Sequence, residues 1–152
     1  MSLDFVQVTD EFIKISAPAG KTLSLNGQSV NLGSIPVETY TAAVEATAGA
    51  VTYTAAQMAS GLLLRDPNGA SRSDTTPTAA LLLAGIPALK NDGDTVKCYL
   101  VNTADAAETI TLLAGVGVTI LNIGQTLAQN EAALILIRRT SSTTVTMYLI
   151  GA

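Results

Sequence analysis

The chain has no histidine, no tryptophan and one cysteine, and only 13% of its residues are Asp, Glu, Lys or Arg. Soluble domains typically carry about 25%. Each shortage removes a class of function. Without histidine, the commonest general base and the commonest transition-metal ligand are missing. A single cysteine, Cys98, excludes an internal disulfide framework. Its place in an alternating apolar run predicts a buried free thiol. The net charge is −4, and the only basic run is Arg138-Arg139. Nucleic-acid binding wants a basic face, so no nucleic-acid partner is expected. The longest apolar stretch, residues 78–89, is too short to span a bilayer and contains Pro87, so no membrane partner is expected. Residues 1–10 hold two acids and no basic apolar run, so no signal peptide is expected.

What remains is apolar and small. Hydrophobic residues make up 48% of the chain and aromatics 4%. The apolar content is Ala, Val, Leu and Ile, with many Thr beside them. That mixture suits thin β layers and close subunit packing better than a deep ligand pocket. So few charges make a free monomer poorly soluble, because surface charge keeps proteins apart. Much of the surface is therefore expected to be covered in an assembly.

Residues 54–87 organise the reading. Thr54 is placed to cap a short helix over 54–61, which Gly61 can end in the left-handed conformation. Leu62-Leu63-Leu64 follows as a short strand or buried connector. Arg65-Asp66-Pro67-Asn68-Gly69 is a turn signal, since Pro67 presets φ while Asn68 and Gly69 tolerate φ > 0. Asp74, Thr75 or Thr76 is placed to cap a second helix over 77–85, with Pro77 in its first turn. Gly85 and Pro87 stop it. Leu81, Leu82 and Leu83 are contiguous, which predicts a helix buried on most sides.

The preceding residues, 1–53, read as an arm with β-hairpins. Apolar runs around Phe5, Val6 and Val8 and around Phe12, Ile13 and Ile15 flank Thr9-Asp10-Glu11. Asn26-Gly27 is a favoured hairpin dipeptide, and Gln28 is expected to lengthen its loop. Residues 37–44 favour a strand over a helix because Thr and Tyr are dense there. From Asn91 onward the period is two. Strands are expected over 95–102, 108–113, 118–121, 125–128, 132–139 and 143–150. Short strands with turns at this spacing predict a mainly β fold, an antiparallel β-sandwich, jelly-roll-like or small barrel domain over 54–152 with two short helices. The almost continuously apolar 132–139 is expected to be a central strand.

No motif points to catalysis. Gly20-Lys21-Thr22 lacks the glycine that a phosphate loop requires five residues earlier, because Ile15 stands there. Gly115 and Gly117 lack the third glycine of a dinucleotide loop, because position 120 is Ile120. Asp92-Gly93-Asp94 supplies two carboxylates, too few for a Ca²⁺ ion that takes six to eight oxygens. Asp66 with Asp74, or Asp105 with Glu108, are conceivable acid/base pairs, but each lies near a turn that explains it by capping. No catalytic residue, cofactor or metal is assigned. Arg65, Asp66, Asn68, Arg72 and Asp74 stand out in a chain so poor in charge. Either they form a solvated loop with local capping bonds, or Arg65 or Arg72 pairs with a carboxylate on a neighbouring subunit through planar hydrogen bonds.

The run LLLRDPNGASRSDTTPTAALLLAGIP, followed by VNTADAAETITLLAGVGVTI, resembles a segment of tailed-bacteriophage virion proteins. These include capsid decoration, or cement, proteins and the terminal domains of some tail fibres. The resemblance covers residues 54–152. It implies a non-enzymatic homotrimer on the capsid exterior that binds the major capsid protein at threefold sites and stabilises the shell. On that reading Phe5, Val6, Val8, Phe12 and Ile13 contact the shell, and Arg65, Asp66, Asn68, Arg72 and Asp74 make subunit or shell contacts. The alternative it implies is a tail-fibre module that recognises a host surface glycan or protein. Glycan binding would want exposed aromatics, and three of the four Tyr lie in alternating strands where a core position is equally open.

Overall fold

A computed structural model describes the backbone of four strands within residues 1–39, and residues 40–121 and 126–151 in full. The chain forms two compact units, Met1–Thr39 and Tyr40–Ala152. The expected division after residue 53 therefore moves forward, because the residues just beyond Tyr40 join the larger unit's main sheet.

In the first unit, β1 (Val6–Thr9) pairs antiparallel with β2 (Phe12–Ile15), and β3 (Thr22–Leu25) pairs antiparallel with β4 (Gln28–Asn31). Leu25 stands opposite Gln28, so Gln28 belongs to the strand and does not lengthen the loop. Val6, Val8, Phe12 and Ile13 fall on the first hairpin. Phe5 lies outside the described residues.

The second unit is mainly β, with two sheets over one core. Its strands are β5 (Thr41–Glu45), β6 (Gly61–Arg65), β7 (Arg72–Thr75), β8 (Thr95–Asn102), β9 (Ile110–Leu113), β10 (Val118–Leu121), β11 (Thr126–Leu127), β12 (Ala132–Arg139) and β13 (Val145–Ile150). The six-stranded sheet has the order β10-β13-β12-β8-β6-β5, and the three-stranded sheet β11-β9-β7. β12 is central, between β13 and β8, as its unbroken apolar run predicts.

The sheets are mixed, which corrects the antiparallel expectation. β5–β6, β6–β8, β7–β9 and β10–β13 are parallel. The cause is the path of the chain. From β6 to β12, successive strands alternate between the two sheets. Neighbours within a sheet are then joined by long crossovers, and long crossovers permit parallel pairing where a tight hairpin does not. Only β12 and β13 are consecutive neighbours in the large sheet joined by a short turn, and they pair antiparallel.

Period-two alternation sets what the core holds. Leu63, Cys98, Leu100, Ala133, Ile135, Ile137, Val145, Met147 and Leu149 point inward from the large sheet, meeting Ile110, Leu112 and Leu127 from the small one. Each buried Leu or Ile side chain contributes roughly 1.5–3 kcal/mol over leaving it in water. The lone thiol of Cys98 is free and buried, as expected, and burial pushes its pKa up to about 11.

Helix α1 (Ala55–Ala59) starts where Thr54 predicts. The Thr54 hydroxyl accepts from the Gln57 N–H at 3.1 Å, and Gln57 Oε1 accepts from the Thr54 N–H at 2.8 Å, a reciprocal cap. Gly61 follows at φ +80°, and a Cβ there would run into the Tyr40 ring at Cδ1. Glycine is thus required there both by the left-handed backbone and by close contact. Helix α2 (Ala79–Gly85) is capped by Thr78, with Pro77 before the cap. None of the three expected caps is available. Asp74 is bound elsewhere, Thr75 belongs to β7, and the Thr76 hydroxyl accepts from the Gly115 N–H at 2.8 Å. Of the three leucines, Leu82 is buried and Leu81 is exposed, so α2 is amphipathic and not covered all round.

Candidate functional site

β6 brings Arg65 inward, on the same parity as Gly61 and Leu63. β7 brings Asp74 inward from the opposite sheet. Both side chains are fully buried, and they pair with each other. Arg65 Nε donates to Asp74 Oδ2 at 2.7 Å, and Nη2 reaches Oδ1 at 3.4 Å. Nη2 also donates to Gly49 O at 2.7 Å, and Nη1 donates to Thr47 O at 2.9 Å and to Asp66 O. With Glu45 O at 3.5 Å from Nη1, six acceptors face the five guanidinium N–H groups. Asp74 is equally engaged. The Tyr53 hydroxyl donates to Oδ2 at 2.8 Å, and the Val51 N–H donates to Oδ1 at 2.9 Å.

This arrangement corrects the sequence assignment. Arg65 and Asp74 are internal struts, not contacts to a subunit or shell. Burial makes an unpaired charge so costly that the nearest opposite charge is recruited from within the chain. The pair pins the 46–50 loop and both sheets at one point. Beside it, hydrogen bonds from Thr47 and Gln57 hold the Glu45 carboxyl below the ordinary glutamate value.

The other three loop residues lie further out. Asp66 Oδ1 accepts from the Asn68 N–H at 2.9 Å, the local turn bond expected of an Asp before Pro-Asn-Gly. Asn68 is exposed at φ 51°. Arg72 is half-buried, with Nε 3.4 Å from Pro67 O. Of the five, Asn68 is the one with an exposed side chain.

A second buried polar node was not anticipated. Asn102 is the register partner of Arg65 on β8 and points the same way. Its Nδ2 donates to Glu108 O at 2.8 Å and Leu127 O at 3.0 Å, and its Oδ1 accepts from the Ala104 N–H at 3.1 Å. It ties the loop after β8 to β11. The signal was present in the sequence: Asn102 continues the inward parity of Cys98 and Leu100.

The remaining candidates resolve into structural roles. Arg139 Nε pairs with Asp92 Oδ1 at 2.9 Å, and its Nη1 donates to Lys90 O at 2.7 Å, which fixes the 90–94 turn. Asp94 Oδ2 accepts from the Asn91 N–H at 2.6 Å. Asp105 is exposed and Glu108 is buried. Among the described residues, no three His, Cys, Asp or Glu side chains are grouped to hold a metal ion. No described helix is long and apolar enough to cross a membrane.

The feature best suited to recognition is the outer face of the large sheet. Cross-strand register lays out its rows. One runs Ile150–Leu134–Tyr99–Leu62–Ala42, and the next runs Ala132–Val101–Leu64–Val44. Both are apolar throughout. A third runs Leu121–Tyr148–Leu136–Lys97, and the rim row is Thr119–Thr146–Arg138–Thr95. At one side Tyr40 meets Tyr99 edge to face, centroids 6.3 Å apart, with Lys97 Nζ 5.7 Å from the Tyr40 centroid. Sequence reading did not assign this face. Its signal was the unbroken apolarity of 132–137, which one buried face alone does not require.

Tyr53 offers a test of the Arg65–Asp74 node. Burial, then the Asp74 carboxylate, hold its hydroxyl well above the ordinary tyrosine value of 10.0. A raised folded pKa means that this contribution is whole below the unfolded pKa and is lost as pH rises past it. Tyr53→Phe is expected to cost about 1–2 kcal/mol at pH 7. The gap to wild type should narrow above pH 10, measured by urea unfolding across the alkaline range.

No protein-family model matches the chain, and neither a curated protein nor a solved structure is significantly similar to it.

Proposed function

We propose that the chain is a non-enzymatic structural protein of a bacteriophage virion. On this reading it is a decoration protein that sits on the capsid exterior as a homotrimer, binds the major capsid protein at threefold sites and strengthens the shell. The observation that carries the reading is the apolar outer face of the six-stranded sheet in a chain with 13% charged residues. Such a surface belongs to a protein that works while covered. The resemblance of 54–152 to virion proteins supplies the class.

The remaining support is architectural. Two buried polar nodes brace the larger unit internally and leave its surface free for packing. The hairpins β1–β2 and β3–β4 supply short ribbons, and ribbons of this kind add to a partner's sheet edge through main-chain hydrogen bonds. Three copies acting together would turn three weak contacts into one strong attachment.

Deletion of residues 1–33 is expected to abolish binding to expanded phage heads while the remainder stays folded. Co-sedimentation with heads and far-UV circular dichroism report the two properties separately. Binding that survives the deletion would refute the role of the arm. Imaging of whole particles decides the location. Density at capsid threefold sites supports decoration. Density confined to the tail favours the fibre reading, for which the exposed Tyr40–Tyr99 pair is the supporting observation.

A further inference from the structure

We infer that the outer face of the six-stranded sheet is buried against a second copy of this chain. Three observations lead there. First, the face has the composition of a core. Two adjacent rows, nine residues in register, contain only Ile, Leu, Tyr, Val and Ala. Interfaces that form and dissolve are about as polar as the rest of a protein surface, whereas permanent homo-oligomer interfaces resemble a core cut in half. The face fits the second kind.

Second, its charge is one-sided and peripheral. The chain carries 12 acidic residues, yet none occupies a register position on this face. Its two cations, Lys97 and Arg138, lie in the third and rim rows. Stacking the apolar rows therefore desolvates no carboxylate and leaves both cations near the boundary. A nucleic-acid partner would need many more cations. Exposure is also real at the positions that matter: Val44 is 68% exposed, Ile150 49%, Leu121 44% and Tyr99 38%.

Third, the size is sufficient. Four rows, rim included, each crossing four or five strands at about 4.8 Å spacing and lying about 7 Å apart, give a face on the order of 500–600 Å². Covering it with an equal area of a second copy buries about 1,000–1,200 Å² in all, at the threshold of a specific stable interface. A second copy is also the partner present whenever the chain is made. A foreign partner would leave this apolar field in water until it arrived.

The inference concerns the isolated chain and does not use the virion reading. The test is sedimentation velocity with the full chain, wild type and Val44→Glu/Tyr99→Glu/Ile150→Glu. All three positions are exposed within one copy, so the fold tolerates charge there, and circular dichroism checks it. We expect a wild-type oligomer and a monomeric variant, with self-association weakened by more than about a thousandfold, because three carboxylates would be desolvated without partners. Val116→Glu, at a position 82% exposed in the loop between β9 and β10, should keep the wild-type mass. If the triple variant misfolds, Val44→Glu alone is to be measured and should shift the equilibrium in the same direction. A monomeric wild type would overturn the inference, as would variants that keep the wild-type mass. Self-association through this face without affinity for viral shells would uphold the inference and refute the decoration reading.

Discussion

Replacing Asp74 with asparagine is expected to destabilise the Tyr40–Ala152 unit by about 3–5 kcal/mol, although only one atom changes. The geometry shows why asparagine is no substitute. Each Asp74 oxygen receives two donors: Oδ2 from Arg65 and Tyr53, and Oδ1 from Val51 and Arg65. An amide has one accepting oxygen. In either orientation its NH₂ group faces two donors, and the buried Arg65 cation loses its counter-charge. A small domain has roughly 5–15 kcal/mol of stability in all, so the variant should unfold at far lower urea. Circular dichroism is the suitable readout, because the chain has no tryptophan.

The companion variant separates charge from packing. Arg65→Met/Asp74→Leu removes both charges and keeps apolar volume. It should recover a large part of the loss, because a buried ion pair is worth little against apolar residues and costs most when half-removed. Additive losses, as costly together as the sum of both single changes, would show that the pair acts mainly by pinning the 46–50 loop through Thr47 O and Gly49 O.

How much of this was legible beforehand follows from parity. Strands β8 and β10 alternate with a two-residue period and β12 is an unbroken apolar run, and the predicted and observed bounds of all three agree. The cap at Thr54 was legible because its partner Gln57 is three residues away. Sheet order was not legible. Nothing local in β6 or β8 says that they lie side by side and parallel, since the pairing is decided by crossovers through the other sheet. The fate of Arg65 and Asp74 was half legible. Their charge drew attention, and scarce charge was read as a surface contact. Parity argued otherwise, because Arg65 shares a face with Leu63, and a charge on the inward face of a strand needs a partner inside. The outer apolar face was hidden for the opposite reason. Period-two reading asks which face is apolar, and in β12 both are.

Asn102→Asp should be comparably damaging at neutral pH and should reveal itself by its pH dependence. The oxygen that now accepts from Ala104 N–H remains. The amide nitrogen, which donates to Glu108 O and Leu127 O, becomes a second oxygen aimed at two carbonyls. Arg65, its register partner, offers no rescue, because its N–H groups already face six acceptors. The same loop already buries the Glu108 side chain. The new carboxyl is therefore favoured in its protonated form, which can still donate one of the two bonds. Its folded pKa lies above the unfolded value of about 3.9. Stability is then retained below that value and lost as pH rises through the folded pKa. The deficit against wild type should be about 1–2 kcal/mol near pH 3 and about 3–5 kcal/mol at pH 7. Asn102→Leu, which leaves the same groups unpaired without adding charge, should show a deficit that hardly changes between those pH values. Parallel pH profiles for the two variants would mean that Asn102 holds the β8–β9 loop by shape and not by its two donated hydrogen bonds.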